Sequence, residues 1–225
     1  MEMIDQSLGQ LARRIPGATR VFDAYDFDFC CAGNRTLRTV AAAAGVDAEA
    51  IMAELRGLEA RAASSQAHDW STATDTLLVD HILSRYHAVH REQLPELIRL
   101  ARKVEQVHGE RAECPRGLAD HLADMAQELE SHMRKEETVL FPMIVQGQGQ
   151  AATMPITVMR SEHDDHGDAL RRLSELTDNI TAPRGACTTW RALYTGLREF
   201  REDLMQHIHT ENNILFERFA PAAVH

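Results

Sequence analysis

Four cysteines among 225 residues are too few for a disulfide framework. The neighbours Cys30 and Cys31 cannot close an ordinary bridge with each other, so reduced thiols are expected. No stretch approaches the roughly 18 uninterrupted apolar residues of a membrane span. The opening Met1-Glu2-Met3-Ile4-Asp5 lacks the basic and apolar regions of a signal peptide. The expectation is a cytoplasmic protein with no membrane partner. Basic charge is also short: 24 Lys and Arg against 34 Asp and Glu leave a formal net charge of -10. That balance argues against nucleic acid as a partner, since nothing in excess neutralises phosphates. Alternation of Val, Ile and Thr with polar residues is missing, so strands are not expected and the fold class is all-α.

What is present is a 44% hydrophobic, 26% charged chain with ordinary globular composition and 12 histidines. Residues 1–65 read as short helices: Pro16 stands at a helix start, Thr36 opens Leu37 to Ala44 before Gly45, and Asp47 caps Ala48 to Ala63. Ser64 to Ser71 is small, polar and without helical period, which marks a linker and makes the two sides separable, with a bundle from about Ser71 keeping its metal. Four long helices follow within 74–220, at Asp75 to His108, Pro115 to Val145, Pro155 to Ile180 and Thr188 to Phe219. Short connections imply an antiparallel four-helix bundle, with a kink at Pro95.

Each helix places histidine on its apolar stripe. The first runs Leu83, His87, His90, Leu94, and the second Leu122, Met125, Leu129, His132, Glu136, Val139. The third runs Ile156, Met159, His163, His166, Leu170, Leu173, and the fourth Leu193, Leu197, Phe200, Leu204, His207, Glu211, Ile214. The chain also repeats itself. His132-x-x-x-Glu136-x-x-x-Leu140-Phe141 matches His207-x-x-x-Glu211-x-x-x-Leu215-Phe216, and each copy follows a His-x-x-His, at His87 and at His163. In His-x-x-x-Glu the two side chains stand one turn apart, about 5 to 6 Å between Cβ atoms, within reach of one metal or of two adjacent ones.

A lone inward histidine is usually a core residue bonded to a carbonyl. Burying His87, His132, Glu136, His163, His207 and Glu211 unpartnered, at ~1–3 kcal/mol each, would rival the ~5–15 kcal/mol of a whole domain's stability. Metal ions remove that cost. Four imidazoles and two carboxylates suit a redox metal, iron before zinc. Two iron ions, each with two histidines and sharing Glu136 and Glu211, would still lack ligands, which implies an oxo- or hydroxo-bridged di-iron centre with an open position. His90 and His166, one turn further on, read as supporting or channel groups, and Glu128 and Glu162 as aids to proton entry. The run Arg134-Lys135-Glu136-Glu137 reads as a solvated face with Glu136 alone turned inward, and Cys114 and Cys187 read as structural.

The pattern resembles the hemerythrin-like bundle, and the whole chain resembles the repair-of-iron-centres family of di-iron proteins. The resemblance rests on Tyr25-Asp26-x-x-x-Cys30-Cys31, on Arg85-Tyr86-His87-x-x-His90-Arg91-Glu92-Gln93-Leu94-Pro95-Glu96-Leu97 and on Ser131-His132-Met133-x-Lys135-Glu136-Glu137. Ser161-Glu162-His163-Asp164 and His207-x-x-x-Glu211-Asn212-Asn213 complete it. It implies a small ScdA-type N-terminal domain with a thiol pair at Cys30 and Cys31, and it places the six ligands where the stripe analysis puts them. The chain departs from the family in carrying Ala32 before Gly33, where two glycines are usual. The implied function is a stress response, repair of iron-sulfur clusters damaged by nitric oxide or oxidants, with the centre supplying iron rather than turning over a substrate. The alternatives are reduction of nitric oxide to nitrous oxide, and binding or sensing of oxygen or nitric oxide. Damaged iron-sulfur proteins are the implied partners, and a homodimer stays open. The thiol pair is read as binding released iron, passing it on or reacting with nitric oxide, against a purely structural role.

Overall fold

The computed structural model describes residues 2–62, 70–149 and 151–219. Among them the regular structure is helical, apart from one antiparallel bridge between Ser7 and Thr36. No described helix is long and apolar enough to cross a membrane. Most of the expected linker, with the boundary at 65, lies outside the described residues, as do Gln150 and the end of the second expected domain at 220.

Packing divides the chain into two compact units. One is Val79–Leu204, and the other takes the residues up to Leu78 together with those from Met205 on. By packing, residues 74–78 and the last turns of the final helix group with the N-terminal segment.

Within the N-terminal unit, α1 (Leu8–Arg14) opens with a reciprocal capping box between Ser7 and Gln10. α2 (Ala18–Ala24) starts two residues after Pro16, from Gly17 at φ 87°. α3 (Leu37–Ala44) is capped by the Thr36 hydroxyl and stopped by Gly45 at φ 67°, as the sequence indicates. Asp47 Oδ1 accepts the Glu49 amide at 2.9 Å as α4 (Ala48–Ala62) begins. Leu8, Phe22, Phe29, Leu37, Ile51, Leu215 and Phe216 are all buried. Arg218 fastens the end of the segment, donating to the carbonyls of Ala73 (2.8 Å) and Trp70 (3.0 Å) and to Asp75 Oδ1 (2.7 Å).

The unit Val79–Leu204 is a bundle of four helical rods. α5 (Asp75–Ile82) runs through a π turn at Leu83–His87 into α6 (Ala88–His108), which continues through Pro95. α7 (Leu118–Lys135) passes through a π turn at Glu136–Leu140 into α8 (Phe141–Val145). α9 (Thr153–Leu176) and α10 (Thr188–Thr210) complete it; α10 runs on past Leu204, and a third π turn at Glu211–Leu215 and a 3-10 turn at Phe216–Phe219 follow it in the segment grouped with the other unit. α9 ends four residues short of the expected Ile180. Asp178, Asn179 and Ile180 take left-handed φ values of 51°, 50° and 53°. Thr177 secures the stop, its hydroxyl donating to Leu173 O at 2.7 Å and accepting the Ile180 amide at 3.1 Å. Leu94, Leu122, Met125, Leu129, Met159, Leu173, Trp190, Leu193, Leu197 and Phe200 are buried, so the apolar stripes face inward above the histidines.

Candidate metal centre

Among the described residues three π turns sit on three proposed ligands: His87 ends one, and Glu136 and Glu211 each begin one. In each, an amide reaches back five residues, from Ala88 to Leu83 O, Phe141 to Glu136 O and Phe216 to Glu211 O. A π turn holds one extra residue and rotates the helix face beyond it. The apolar stripes accordingly slip by one position. Val139 is 48% exposed while Leu140 is 1% exposed. Leu215 rather than Ile214 is buried, and Ile82 rather than Leu83. The expected stripe positions Leu83, Val139 and Ile214 are therefore corrected to Ile82, Leu140 and Leu215. α9 has no π turn, and its stripe of Ile156, Met159, His163, His166, Leu170 and Leu173 is buried throughout. Pro142 lies just beyond the second π turn and has no amide to give, which removes one regular helical bond there.

In the unit Val79–Leu204 the structure brings four of the predicted ligands together from three rods. Glu136 Oε2 lies 3.3 Å from His87 Nε2 and 3.5 Å from His132 Nε2, so one carboxylate oxygen serves imidazoles of two rods. His163 Nε2 lies 3.1 Å from His132 Nε2. All four side chains are buried. The outer nitrogens explain the arrangement. His87 Nδ1 is 2.8 Å from Glu137 Oε1, and His132 Nδ1 is 2.9 Å from Glu162 Oε2. A carboxylate stands where it can accept the Nδ1 proton in each case, and in that tautomer the Nε2 lone pair is directed inward. Lone pairs converging on a carboxylate oxygen repel one another unless positive charge lies among them. This donor chemistry, imidazoles oriented by outer carboxylates around a buried acid, fits a metal cation.

Glu137 corrects the reading of a solvated face with Glu136 alone turned inward. It holds His87 and accepts two bonds from Arg91, at 2.9 and 3.2 Å. Burial pushes its carboxyl up, but the bonds from Arg91 and His87 outweigh this and hold it below the usual carboxylate value. Lys135 likewise pairs with Glu162. Sequence periodicity missed Glu137 because its partner lies 50 residues away on another rod. Among the other singled-out residues, His90 is buried edge-on to Phe200 with Nδ1 3.4 Å from Gln93 Oε1. His166 is buried edge-on to His132, with ring centroids 5.0 Å apart. Glu128, Glu162 and His166 share an open groove of about 500 Å³ with Gln127, Ser131 and Lys135.

In the other unit His207 Nε2 lies 3.0 Å from Glu211 Oε1, both buried. Asn212 and Asn213, directly after that pair, tie it to the thiol segment: Asn212 Nδ2 donates to Cys30 O at 3.1 Å and Asn213 Nδ2 to Phe29 O at 3.3 Å. His209 packs edge-on to Phe29, its Nδ1 3.0 Å from Asn213 Nδ2, and burial lowers it to about 3. Gly33 lies so close that an added Cβ would stand 2.6 Å from Phe29 O and 2.8 Å from Asn213 Oδ1. The family's second glycine is thus the one this backbone requires, which leaves room for Ala32 at the first. Cys30 is buried and Cys31 partly exposed, their sulfurs 3.6 Å apart. Asp28 Oδ1 accepts the Cys30 thiol at 3.3 Å and the Cys31 amide at 2.9 Å. The contact with Cys31, burial and the Asp28 charge all push the Cys30 thiol well up, so it stays protonated at neutral pH. The ligand atoms of Asp28, Cys30 and Cys31 lie within 4.8 Å of one another.

Residues 78–219 match the family described as the hemerythrin HHE cation binding domain, and residues 4–59 match ScdA_N, a domain of unknown function. The iron-sulfur cluster repair protein YtfE of Yersinia pseudotuberculosis serotype IB (strain PB1/+) is 52% identical over 218 residues, covering 97% of this chain and 98% of that protein. The protein of the same name from Yersinia pestis (strain Pestoides F) is 52% identical over the same length and shares. That of Yersinia pseudotuberculosis serotype O:3 (strain YPIII) is 51% identical, again over 218 residues, 97% of this chain and 98% of the relative.

Proposed function

As this chain belongs to the family of iron-sulfur cluster repair proteins built from an ScdA_N segment and a hemerythrin HHE cation binding domain, we propose that it repairs damaged iron-sulfur clusters by supplying iron. Its partners are then iron-sulfur proteins damaged by nitrosative or oxidative stress, met in the cytoplasm. The cation is iron, and the finer reading is two ions joined by an oxo or hydroxo bridge and held by His87, His132, Glu136, His163, His207 and Glu211. The duplicated motif supports this assignment, since each copy supplies one His-x-x-x-Glu and one further histidine. Bound iron would supply a redox-active, releasable cation. The chain's own residues do the rest: Glu137 and Glu162 hold the Nδ1 protons of His87 and His132 and keep their inner nitrogens aimed at Glu136.

One observation carries the reading most directly, the single Glu136 oxygen within 3.5 Å of two imidazole nitrogens from different rods. A carboxylate so placed suits a bridge. The groove beside Glu128, Glu162 and His166 favours a second reading, entry of a small ligand such as nitric oxide and its turnover to nitrous oxide. Anaerobic reaction of the reduced, iron-loaded protein with nitric oxide separates the two, with nitrous oxide and iron transferred to an apo cluster protein measured in parallel. Iron loss matched by cluster recovery supports delivery. Many equivalents of nitrous oxide per chain with iron retained would replace delivery by catalysis.

A further inference from the structure

Cys187 and His108 take no part in the site described above. His108 is the last residue of α6, ~27 Å by helical rise from His90. Its Nε2 lies 3.2 Å from Cys187 Sγ. Cys187 immediately precedes α10, and its carbonyl accepts the Arg191 amide at 3.0 Å, which puts the thiol at the N-cap of a 23-residue helix. Both side chains are partly exposed. The imidazole stands where it can take the thiol proton during an attack, and the helix N-terminus faces the charge that then develops on sulfur. The imidazole is held in place by Trp190, whose ring centroid is 5.1 Å from that of His108.

The surroundings are cationic, in contrast to the net charge of -10 for the chain. Arg111 donates to Arg184 O at 3.2 Å and to Gly185 O at 3.4 Å, and Arg191 donates to Ala186 O at 2.7 Å. Arg116 donates to Arg111 O at 3.1 Å, and Arg184 is exposed. Against these stand Glu113, 3.5 Å from Arg111, and, on the same stretch of chain as His108, Glu105 and Glu110. Cys114, in the same region but buried, has no imidazole at hydrogen-bonding distance among the described contacts, and burial pushes its thiol up.

We propose that Cys187 and His108 form a second reactive site, a thiol–imidazole pair that exchanges with small anionic disulfides of the glutathione class. The Cys187 proton passes to His108, and Sγ attacks one sulfur of the disulfide. The new S–S bond forms as the reagent's own bond breaks, and the leaving thiolate takes the proton back from His108. Cys187 is thereby oxidised to a mixed disulfide while half of the reagent is reduced to thiol, so the exchange needs no further oxidant.

The test uses the full-length, iron-loaded protein and peptide mapping by mass spectrometry. Glutathione disulfide should modify Cys187 roughly tenfold faster than Cys114 at neutral pH. The rate should exceed that for cystamine, a cationic disulfide, and His108→Gln should remove the advantage while iron content stays unchanged. Alkylation by uncharged iodoacetamide at neutral pH provides a measurement on the native chain alone, in which Cys187 should react several-fold faster than a free cysteine thiol. A rate no faster than that of the free thiol overturns the pair. Equal rates for the two disulfides overturn the choice of an anionic reagent, and an unchanged rate in His108→Gln overturns the part assigned to the imidazole.

Discussion

The segments 132–140 and 207–215 carry the same His and Glu at the same spacing and end in the same π hydrogen bond, yet different chemistry holds each. The first is followed by Glu137, a carboxylate that anchors His87, and its histidine is anchored by Glu162. The second is followed by Asn212 and Asn213, amides that donate to the backbone carbonyls of Cys30 and Phe29. One copy is secured by charge within a helical bundle, the other by neutral bonds to an N-terminal loop. A duplicated ligand motif thus keeps its metal-facing residues while the next positions diverge to suit whatever packs beside each copy.

The comparison is broken most severely at the carboxylates themselves. Glu136→Ala and Glu211→Ala should each lose most of the bound iron, and more than any single His→Ala variant, because a bridge touches both ions. Iron content per chain checks this, and equal loss across all six ligand variants would argue against bridging. Full loading to two iron ions in wild type, with the absorption of a bridged diferric centre, is the reference. One ion per chain, or tight zinc from iron-rich medium, would overturn the dinuclear assignment.

Next in size is removal of residues 1–70. The sequence alone suggests that the remaining bundle would keep its iron unchanged. The bonds from Asn212 and Asn213 to residues 29 and 30 instead lead us to expect faster iron loss and faster hydrogen exchange at Glu211–Leu215, with Glu136–Leu140 protected as before. Equal behaviour of the two turns in the truncated chain would show that the amide anchors do not matter.

Smaller effects should follow from the outer carboxylates. Glu137→Gln and Glu162→Gln each replace the acceptor of an Nδ1 proton and should weaken metal affinity by about 10- to 100-fold, measured by competition with a chelator. The smallest change belongs to the neutral anchor. Asn213→Ala removes the amide's bonds to Phe29 O and His209 Nδ1, together on the order of 1–2 kcal/mol, and should lower Tm by roughly 2–8 °C with iron content preserved. A Tm loss in Asn213→Ala larger than that in Glu162→Gln would reverse the ordering of the two anchors.

Much of this molecule was legible in its sequence, and the exceptions share a cause. The stripe of α9 reads correctly from Ile156 to Leu173 because that helix keeps a regular period. The stripes through Leu83, Val139 and Ile214 are each displaced by one residue, since periodicity assumes 3.6 residues per turn and a π turn breaks that rule. The exposed Val139 beside the buried Leu140 shows the slip directly. Glu137, Asn212 and Asn213 were visible as residues but not as anchors, because their partners lie 50 or more positions away. The early stop of α9 was hidden for a local reason, since three consecutive non-glycine residues in left-handed geometry are not anticipated by propensity. Cys187 reads as structural in the sequence because its imidazole comes from the opposite end of a different helix.

The π turns also bear on how such chains can be aligned and edited. Each holds one residue more than a plain helix needs, so aligning these helices with unbulged counterparts should open a single-residue gap at 83–87, 136–140 and 211–215. A one-codon deletion inside 137–140 is then the shortest route by which that helix regains a regular period. It would bring Phe141 and the residues beyond it a full position out of phase with the side chains they now meet. Insertions and deletions in these segments should be far rarer among functional descendants than substitutions, and a library of single-residue deletions along α7 and α8 would show it as a narrow, intolerant window.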